Sequence, residues 1–295
     1  YFETVSGFTT TGATVIGNVE VLPRSILFWR SMIQWLGGMG IILFSIAILP
    51  LLGIGGMQLF KAEVPGPVVE KIKPRIAETA RSLWKIYILL SLAQTLLLVL
   101  CGMNVFEAAC HTFTTMATGG FSTRNISVEA FGNPWAELVI IFFMVVAGTN
   151  FTLHYRILHG RVDSMLKDRE FFLYAGILCG GTLLLFASIY PGGRLDFTTA
   201  LRQAGFQAAS IMTTTGYSTC NFDTWPTFAK CILLLLMFAG GCAGSTAGGI
   251  KCMRILLLLK QTYRELFCMV HPNAVVSIKI GGRAVPENIL RGIAN

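Results

Sequence analysis

Long apolar runs alternate along this chain with short polar segments. Residues 25–52, 82–103, 135–153, 171–190 and 228–242 are each apolar over most of their length. A bilayer core of roughly 30 Å needs about 20 such residues in a helix. In lipid every backbone N–H and C=O must be satisfied within the protein, so these runs predict membrane-crossing helices rather than open strands. Two shorter stretches, 105–115 and 197–212, have helical patterning but are too short and too polar to cross, and residues 1–9 read as the end of a third.

Each short stretch runs into a polar segment, and the three segments resemble one another. They are Phe8-Thr9-Thr10-Thr11-Gly12-Ala13-Thr14, Thr114-Thr115-Met116-Ala117-Thr118-Gly119-Gly120-Phe121-Ser122-Thr123, and Met212-Thr213-Thr214-Thr215-Gly216-Tyr217-Ser218-Thr219. A Thr-Gly pair aligns Gly12, Gly119 and Gly216, which are 107 and 97 residues apart. One Thr-Gly loop would be an ordinary turn. Three with the same flanking pattern define a unit: long helix, re-entrant half-helix, Thr-Gly strand, long helix. The predicted fold is therefore all-α and integral to the membrane.

Charge agrees with this topology. The chain is 54% hydrophobic and 13% charged, with a net charge of +8, whereas soluble domains carry about 25% charged residues. The positive charge is concentrated in alternate connections: Lys61, Lys71, Lys73, Arg75 and Arg81, then Arg156, Arg161, Lys167 and Arg169, then Lys251, Arg254, Lys260 and Arg264. The positive-inside rule puts these in the cytoplasm and the Thr-Gly segments on the outer side. Membrane topology accounts for the basic balance, so no nucleic-acid partner is implied. No signal peptide is visible. The chain opens at Tyr1 without Met and stops at Asn295 as a further segment, 285–295, begins, which predicts a piece of a longer protein.

The Thr-Gly segments carry the candidate chemistry. A cation crossing a bilayer must exchange its water for other oxygens, and backbone carbonyls can supply them. Pointing successive carbonyls at one axis requires alternating, partly left-handed dihedrals, which glycine adopts without a Cβ penalty. Threonine adds a hydroxyl oxygen. The negative end of each half-helix dipole favours a cation beside it.

With these features the chain resembles the TrkH/TrkG and KtrB superfamily of K⁺ transporters over nearly its whole length. The resemblance rests on Thr9–Thr14 together with Gln34-Trp35-Leu36-Gly37-Gly38-Met39-Gly40. It also rests on Glu63-Val64-Pro65-Gly66-Pro67, Pro74-Arg75-Ile76-Ala77-Glu78-Thr79-Ala80 and Ala117–Thr123. It continues in Ala147-Gly148-Thr149-Asn150-Phe151 and Gly240-Gly241-Cys242-Ala243-Gly244-Ser245-Thr246-Ala247-Gly248-Gly249-Ile250-Lys251. It implies tandem helix–pore-loop–helix repeats arranged pseudo-fourfold around a central ion pore. Three of the four pore loops lie in this chain, and the first outer helix and the fourth loop lie outside it. It implies potassium as the transported ion with no organic cofactor, a homodimer, and a cytoplasmic nucleotide-binding regulatory subunit of TrkA type. It further implies residence in the bacterial inner membrane. The matching filter residues are Thr10, Thr11 and Gly12; Ala117, Thr118 and Gly119; and Thr214, Thr215 and Gly216. Ala117 stands where the other two repeats have Thr. Gly12 favours K⁺ over Na⁺, since some relatives with Ser in the first repeat carry Na⁺. The division expected is 1–60 for repeat one, 61–160 for repeat two, 161–265 for repeat three, and 266–295 for a cytoplasmic connection with the start of repeat four.

Residues 240–249 hold five glycines within an otherwise apolar span. Glycine at this density unwinds a helix, while small residues alternatively permit close helix packing. Ser245, Thr246 and Lys251 add polarity that favours unwinding. The resemblance makes the segment an intramembrane gate comprising Gly240, Gly241, Gly244, Ser245, Thr246, Gly248, Gly249 and Lys251. Lys251 either faces water or a partner at membrane depth or snorkels to the inner interface. The segment is not a phosphate-binding loop, because Ile250 separates Gly249 from Lys251 and Cys252 follows.

The remaining polar residues suggest no enzyme. The eight cysteines are scattered without a CxxC pair and read as small buried hydrophobes. His111 is expected to pack or hydrogen-bond within a half-helix. His154, His159 and His271 lack partners at metal-ligand spacing. Arg30 and Gln34 share a helix face at i, i+4 and are expected to face protein or the outer interface. Glu3 and Glu107 sit near half-helix starts, where the dipole favours an acid. The reading is thus a K⁺-conducting subunit. A Na⁺- or H⁺-coupled potassium symporter is the alternative of the same kind, and a non-conducting membrane scaffold or sensor of the same fold is the alternative of another.

Overall fold

The computed structural model describes residues 1–47, 76–192, 195–271, 277–280 and 283–284. Eleven helices account for most of them: α1 (Phe2–Phe8), α2 (Arg24–Ala47), α3 (Ile76–Leu100), α4 (Val105–Met116), α5 (Pro134–Ala147), α6 (Phe151–Leu158), α7 (Asp163–Leu166), α8 (Arg169–Ile189), α9 (Phe197–Met212), α10 (Thr227–Phe238) and α11 (Cys252–Val270). A two-residue antiparallel pair, Lys279–Ile280 with Arg283–Ala284, lies near the end.

The helix ends follow local chemistry. Asn104, Asn133, Asn150, Asp168 and Asp196 each accept a first-turn N–H of the helix that follows, satisfying donors that a helix leaves open. Pro134 sits in the first turn of α5, where its missing N–H costs nothing. By length and apolarity, Ala80–Leu100 and Arg169–Gly192 can each cross a bilayer. They present Leu92, Leu96, Leu100, Leu183 and Leu184 outward as exposed apolar side chains.

Two expected spans are interrupted. The run 135–153 is broken between α5 and α6, whose axes are bent by 101°. Gly148, Thr149 and Asn150 form the break, and the carbonyls of Ala147 and Gly148 turn to the 239–251 segment instead of continuing a helix. The run 228–242 is helical only as α10, to Phe238, and the chain leaves the helix from 239 to 251. The close-packed-helix alternative for the glycine-rich run is therefore set aside. The sequence division at 265/266 falls within α11, and that at 60/61 lies outside the described residues.

The repeats pack in order. α2, which follows the first Thr-Gly segment, lies against α4, the half-helix of repeat two. α5, which follows the second, lies against α9, the half-helix of repeat three. At the first contact Trp35 of α2 meets Phe113 of α4 with tilted rings; on α3 it stacks on Tyr87 and meets Trp84 edge-on, and its indole N–H donates to Ser91 Oγ at 3.0 Å. At the second, Met144, Ile140, Phe206 and Ala209 share one core with Tyr217.

Candidate functional site

The three half-helices end at Phe8, Met116 and Met212, and the next residues are Thr9, Ala117 and Thr213. Beyond them Thr10, Thr118 and Thr214 have φ of 56°, 51° and 59°, and Gly12, Gly120 and Gly216 have φ of 75°, 78° and 82°. Left-handed residues thus alternate with ordinary ones in all three segments. This pattern aligns Gly120, not Gly119, with Gly12 and Gly216. The spacings become 108 and 96 residues. Gly119 occupies the position of Thr11 and Thr215, and Ala117 that of Thr9 and Thr213. The sequence offered two adjacent glycines, and the end of the half-helix chooses between them. In this register every repeat keeps a Thr at the left-handed position.

Left-handed dihedrals in a β-branched residue cost on the order of 1–3 kcal/mol and persist only where the surroundings impose them. Here the half-helix imposes them. The N–H groups of Thr11 and Gly12 both donate to Ser6 O, at 2.9 and 3.4 Å. Those of Thr215 and Gly216 donate to Ser210 O, at 2.9 and 3.2 Å, and that of Gly119 to Thr114 O at 2.9 Å. The hydroxyls of Ser6 and Ser210 each donate at 2.6 Å to the carbonyl just past the glycine, of Ala13 and Tyr217 respectively. Three residues earlier in the half-helix, Glu3 accepts from Thr14 Oγ1 at 2.5 Å and from Val15 N at 2.8 Å. The equivalent His111 bonds Ser122 Oγ at 3.0 Å.

Neighbouring segments dock glycine to carbonyl. A β-carbon on Gly12 would stand 2.2 Å from Gly119 O, and one on Gly120 would stand 1.9 Å from Thr215 O. Among the described residues, Gly216 meets no atom within 4 Å at its corresponding point. The carbonyls of Gly119 and Thr215 are therefore turned toward the preceding repeat. Among the described residues, no hydrogen-bond donor reaches the carbonyls of Thr10, Gly12, Thr118, Gly120, Thr214 or Gly216, which leaves their oxygens available to a cation.

Repeat two is built differently behind its strand. In repeats one and three a pair of hydroxyls meets at 2.8 Å, Thr9 with Thr11 and Thr213 with Thr215. Ala117 and Gly119 lack both hydroxyls, and the fully buried Gln34 of α2 takes the space. Its Nε2 donates to Gly119 O at 2.8 Å and its Oε1 accepts from Phe121 N at 3.1 Å. A β-carbon on Gly119 would fall 2.4 Å from Gln34 Cδ. Arg30, one turn earlier, pairs with Glu3 at 3.0 Å and lies over the Phe121 ring. The Arg30/Gln34 face thus meets protein, but the clamp on segment two joins residues 85 apart and no local pattern announces it. The only trace in sequence is the Ala and Gly standing where the other repeats have Thr.

The glycine-rich segment closes into a loop. Gly240 N donates to Ile250 O at 2.9 Å and Cys252 N to Gly241 O at 3.1 Å, forming its neck. Thr246 Oγ1 donates to Met116 O at 3.0 Å and to Ala147 O at 3.3 Å. Gly248 N donates to Thr214 Oγ1 at 2.7 Å. Cys242 N donates to Gly148 O, and Gly244 O accepts from Phe151 N. Lys251 does not extend away from the loop: its ammonium turns back and donates to Ala247 O. Of the expected gate residues, Thr246 and Gly248 therefore touch the end of one half-helix and one Thr-Gly strand directly. Gly240, Gly241 and Lys251 form or close the neck, Ser245 bonds Cys242 O within the loop, Gly244 meets α6, and Gly249 takes a left-handed φ of 70°.

Repeated membrane helices, half-helices that run into Thr-Gly strands, and an unwound loop against those strands define a pore-loop membrane protein. The chain belongs to the TrkH family, described as cation transport proteins, whose family model matches residues 1–190 and 193–293. It is 49% identical over 302 residues to the Trk system potassium uptake protein TrkH of Salmonella typhimurium, covering 99% of this chain and 61% of that protein. It is 40% identical to the Trk system potassium uptake protein TrkG of Escherichia coli K12, with the same coverages. The crystal structure of the potassium transporter TrkH from Vibrio parahaemolyticus superposes with a TM-score of 0.87 at 42% identity, over 99% of this chain and 60% of that one. The chain spans about three fifths of the length of these relatives.

Proposed function

We propose that this chain supplies three of the four walls of a K⁺-selective uptake pathway in the bacterial inner membrane. The carrying observation is the shared backbone of the three segments. Each places a left-handed Thr and a left-handed Gly two residues apart, with unbonded carbonyls, and successive segments dock glycine to carbonyl. Oxygens held by a half-helix and a neighbouring repeat can replace the hydration shell of a cation without collapsing onto it. In this reading a fourth segment of the same kind completes the ring. In this register the filter residues are Thr10, Thr11 and Gly12; Thr118, Gly119 and Gly120; and Thr214, Thr215 and Gly216.

The 239–251 loop is the gate. Its bonds to Met116 O and Thr214 Oγ1 place it in direct contact with two filter-bearing elements, so a shift of the loop reaches the pathway without an intermediary. We further propose, as the family resemblance of its motifs implies, that the protein is a homodimer regulated by a cytoplasmic nucleotide-binding subunit of TrkA type. The test is flux from liposomes containing the full-length protein, K⁺ against Na⁺, with Gly120→Ser alongside. K⁺-preferring flux that loses its preference in the variant supports the reading. Absent flux, or a preference untouched by the substitution, rejects it.

A further inference from the structure

Glu170 is 2% exposed, at the second position of α8. No charged partner pairs with its carboxylate at ion-pair distance among the described residues. Its Oε1 instead accepts two backbone N–H groups, from Ala243 at 2.6 Å and from Met253 at 3.0 Å. Ala243 lies inside the glycine-rich loop, and Met253 lies just past its end, in the first turn of α11. One oxygen thus ties the two flanks of the loop together from a helix that belongs to neither. Lys251, at the cap position of α11, gives that helix no side-chain cap, so the Glu170 carboxylate satisfies from outside an N–H that a Ser or Asp normally would. A carboxylate also suits the positive end of the α11 dipole. The loop's other anchors are bonds to backbone carbonyls, to the Phe151 N–H or to a neutral threonine. Hydrogen bonds to a charged acceptor are roughly twice as strong as neutral ones.

We propose that Glu170 is a positioning residue that latches the 239–251 loop in its seated state, and that release of its carboxylate frees the loop to move. The inference rests on the reading of that loop as a gate. It adds the element that holds the gate, at the start of the outer helix of repeat three, where a force applied from the basic connection before α8 reaches the loop through one side chain.

The loop carries its own reporter, because Cys242 is 1% exposed and lies next to Ala243. In the full-length protein in liposomes, the rate of Cys242 modification by a maleimide is read by peptide mapping for the wild type, Glu170→Gln and Glu170→Ala. Cys110, equally buried in the half-helix of repeat two, reports general loosening in the same sample. The expected order is wild type slowest, Glu170→Gln a few-fold faster because an acceptor oxygen remains without its charge, and Glu170→Ala about tenfold faster or more, with Cys110 protected throughout. An unchanged Cys242 rate in Glu170→Ala overturns the latch. So does a parallel rise at Cys110 in Glu170→Gln, which would make Glu170 a support of the whole fold. Potassium flux measured on the same liposomes separates the two readings: wild-type flux with an unchanged Cys242 rate defeats only the latch, and absent wild-type flux defeats the transport reading itself.

Discussion

The α-carbon of Gly120 faces the carbonyl oxygen of Thr215 so closely that a β-carbon there would stand 1.9 Å away. The obstacle is backbone of the next repeat, which cannot swing aside as a side chain can. Gly120 also holds φ of 78°, and a left-handed L-residue costs roughly 1–2 kcal/mol by itself. Gly120→Ala should therefore push segments two and three apart and lower K⁺ over Na⁺ selectivity about tenfold or more. Paired flux assays in liposomes measure it, and selectivity equal to wild type would contradict the docking geometry.

Gly119 presents a different obstacle, the side chain of Gln34. Gly119→Ala alone should destabilise the protein by clashing with that amide. Gln34→Ala alone should destabilise it by leaving Phe121 N and Gly119 O unpaired in the interior, at about 1–3 kcal/mol. Together the two changes should cost clearly less than their sum, since the removed amide makes room for the new methyl. Thermal unfolding of the purified single and double variants measures this coupling, and strict additivity would mean that the two sites do not touch.

Thr246 anchors the loop through one hydroxyl shared between Met116 O and Ala147 O. Thr246→Val keeps the shape and removes the donor, a loss of about 1 kcal/mol. The expected result is a higher K⁺ flux with unchanged selectivity, because the loop is loosened and the strands are untouched. A change in selectivity without a change in flux would assign the hydroxyl to the filter rather than to the gate.

The Arg202 guanidinium on α9 pairs with the Glu137 carboxylate on α5, with side chains 21% and 6% exposed. The pair joins repeat two to the half-helix of repeat three. Arg202→Met strands a buried carboxylate and should lower stability by about 3 kcal/mol. Adding Glu137→Leu should recover much of that loss, since breaking a buried pair costs more than replacing both partners. Melting temperatures of the three variants decide the point, and no recovery in the double variant would show that the pair acts through more than its charges.

How much of this was legible beforehand varied with the range of the interaction. Helices α3, α8 and α9 follow apolar or amphipathic runs visible along the chain, and the half-helix ends fall two or three residues before the Thr-Gly pairs. The repeat itself needed only self-comparison. The one-residue register of segment two was hidden, since Gly119 and Gly120 are chemically identical and only the end of α4 distinguishes them. The left-handed conformation of Thr10, Thr118 and Thr214 was hidden as well. It runs against the preference of a β-branched residue, and half-helix carbonyls together with the neighbouring repeat impose it. The bend between α5 and α6 was masked by a continuous apolar run, because the glycine-rich loop that takes up the carbonyls of Ala147 and Gly148 lies about a hundred residues later.

The sequence by itself determined the solvent, most of the helices, the threefold recurrence of the Thr-Gly unit and the unwinding of residues 240–249. These follow from hydropathy, periodicity and glycine content, which act over a few turns of chain. Tertiary structure alone decided which glycine meets which carbonyl, that Gln34 replaces a hydroxyl pair behind segment two, and that Glu170 holds the loop. Each of those joins backbone to a side chain or carbonyl some 70 to 110 residues away, and such partners are selected by packing after the helices have formed.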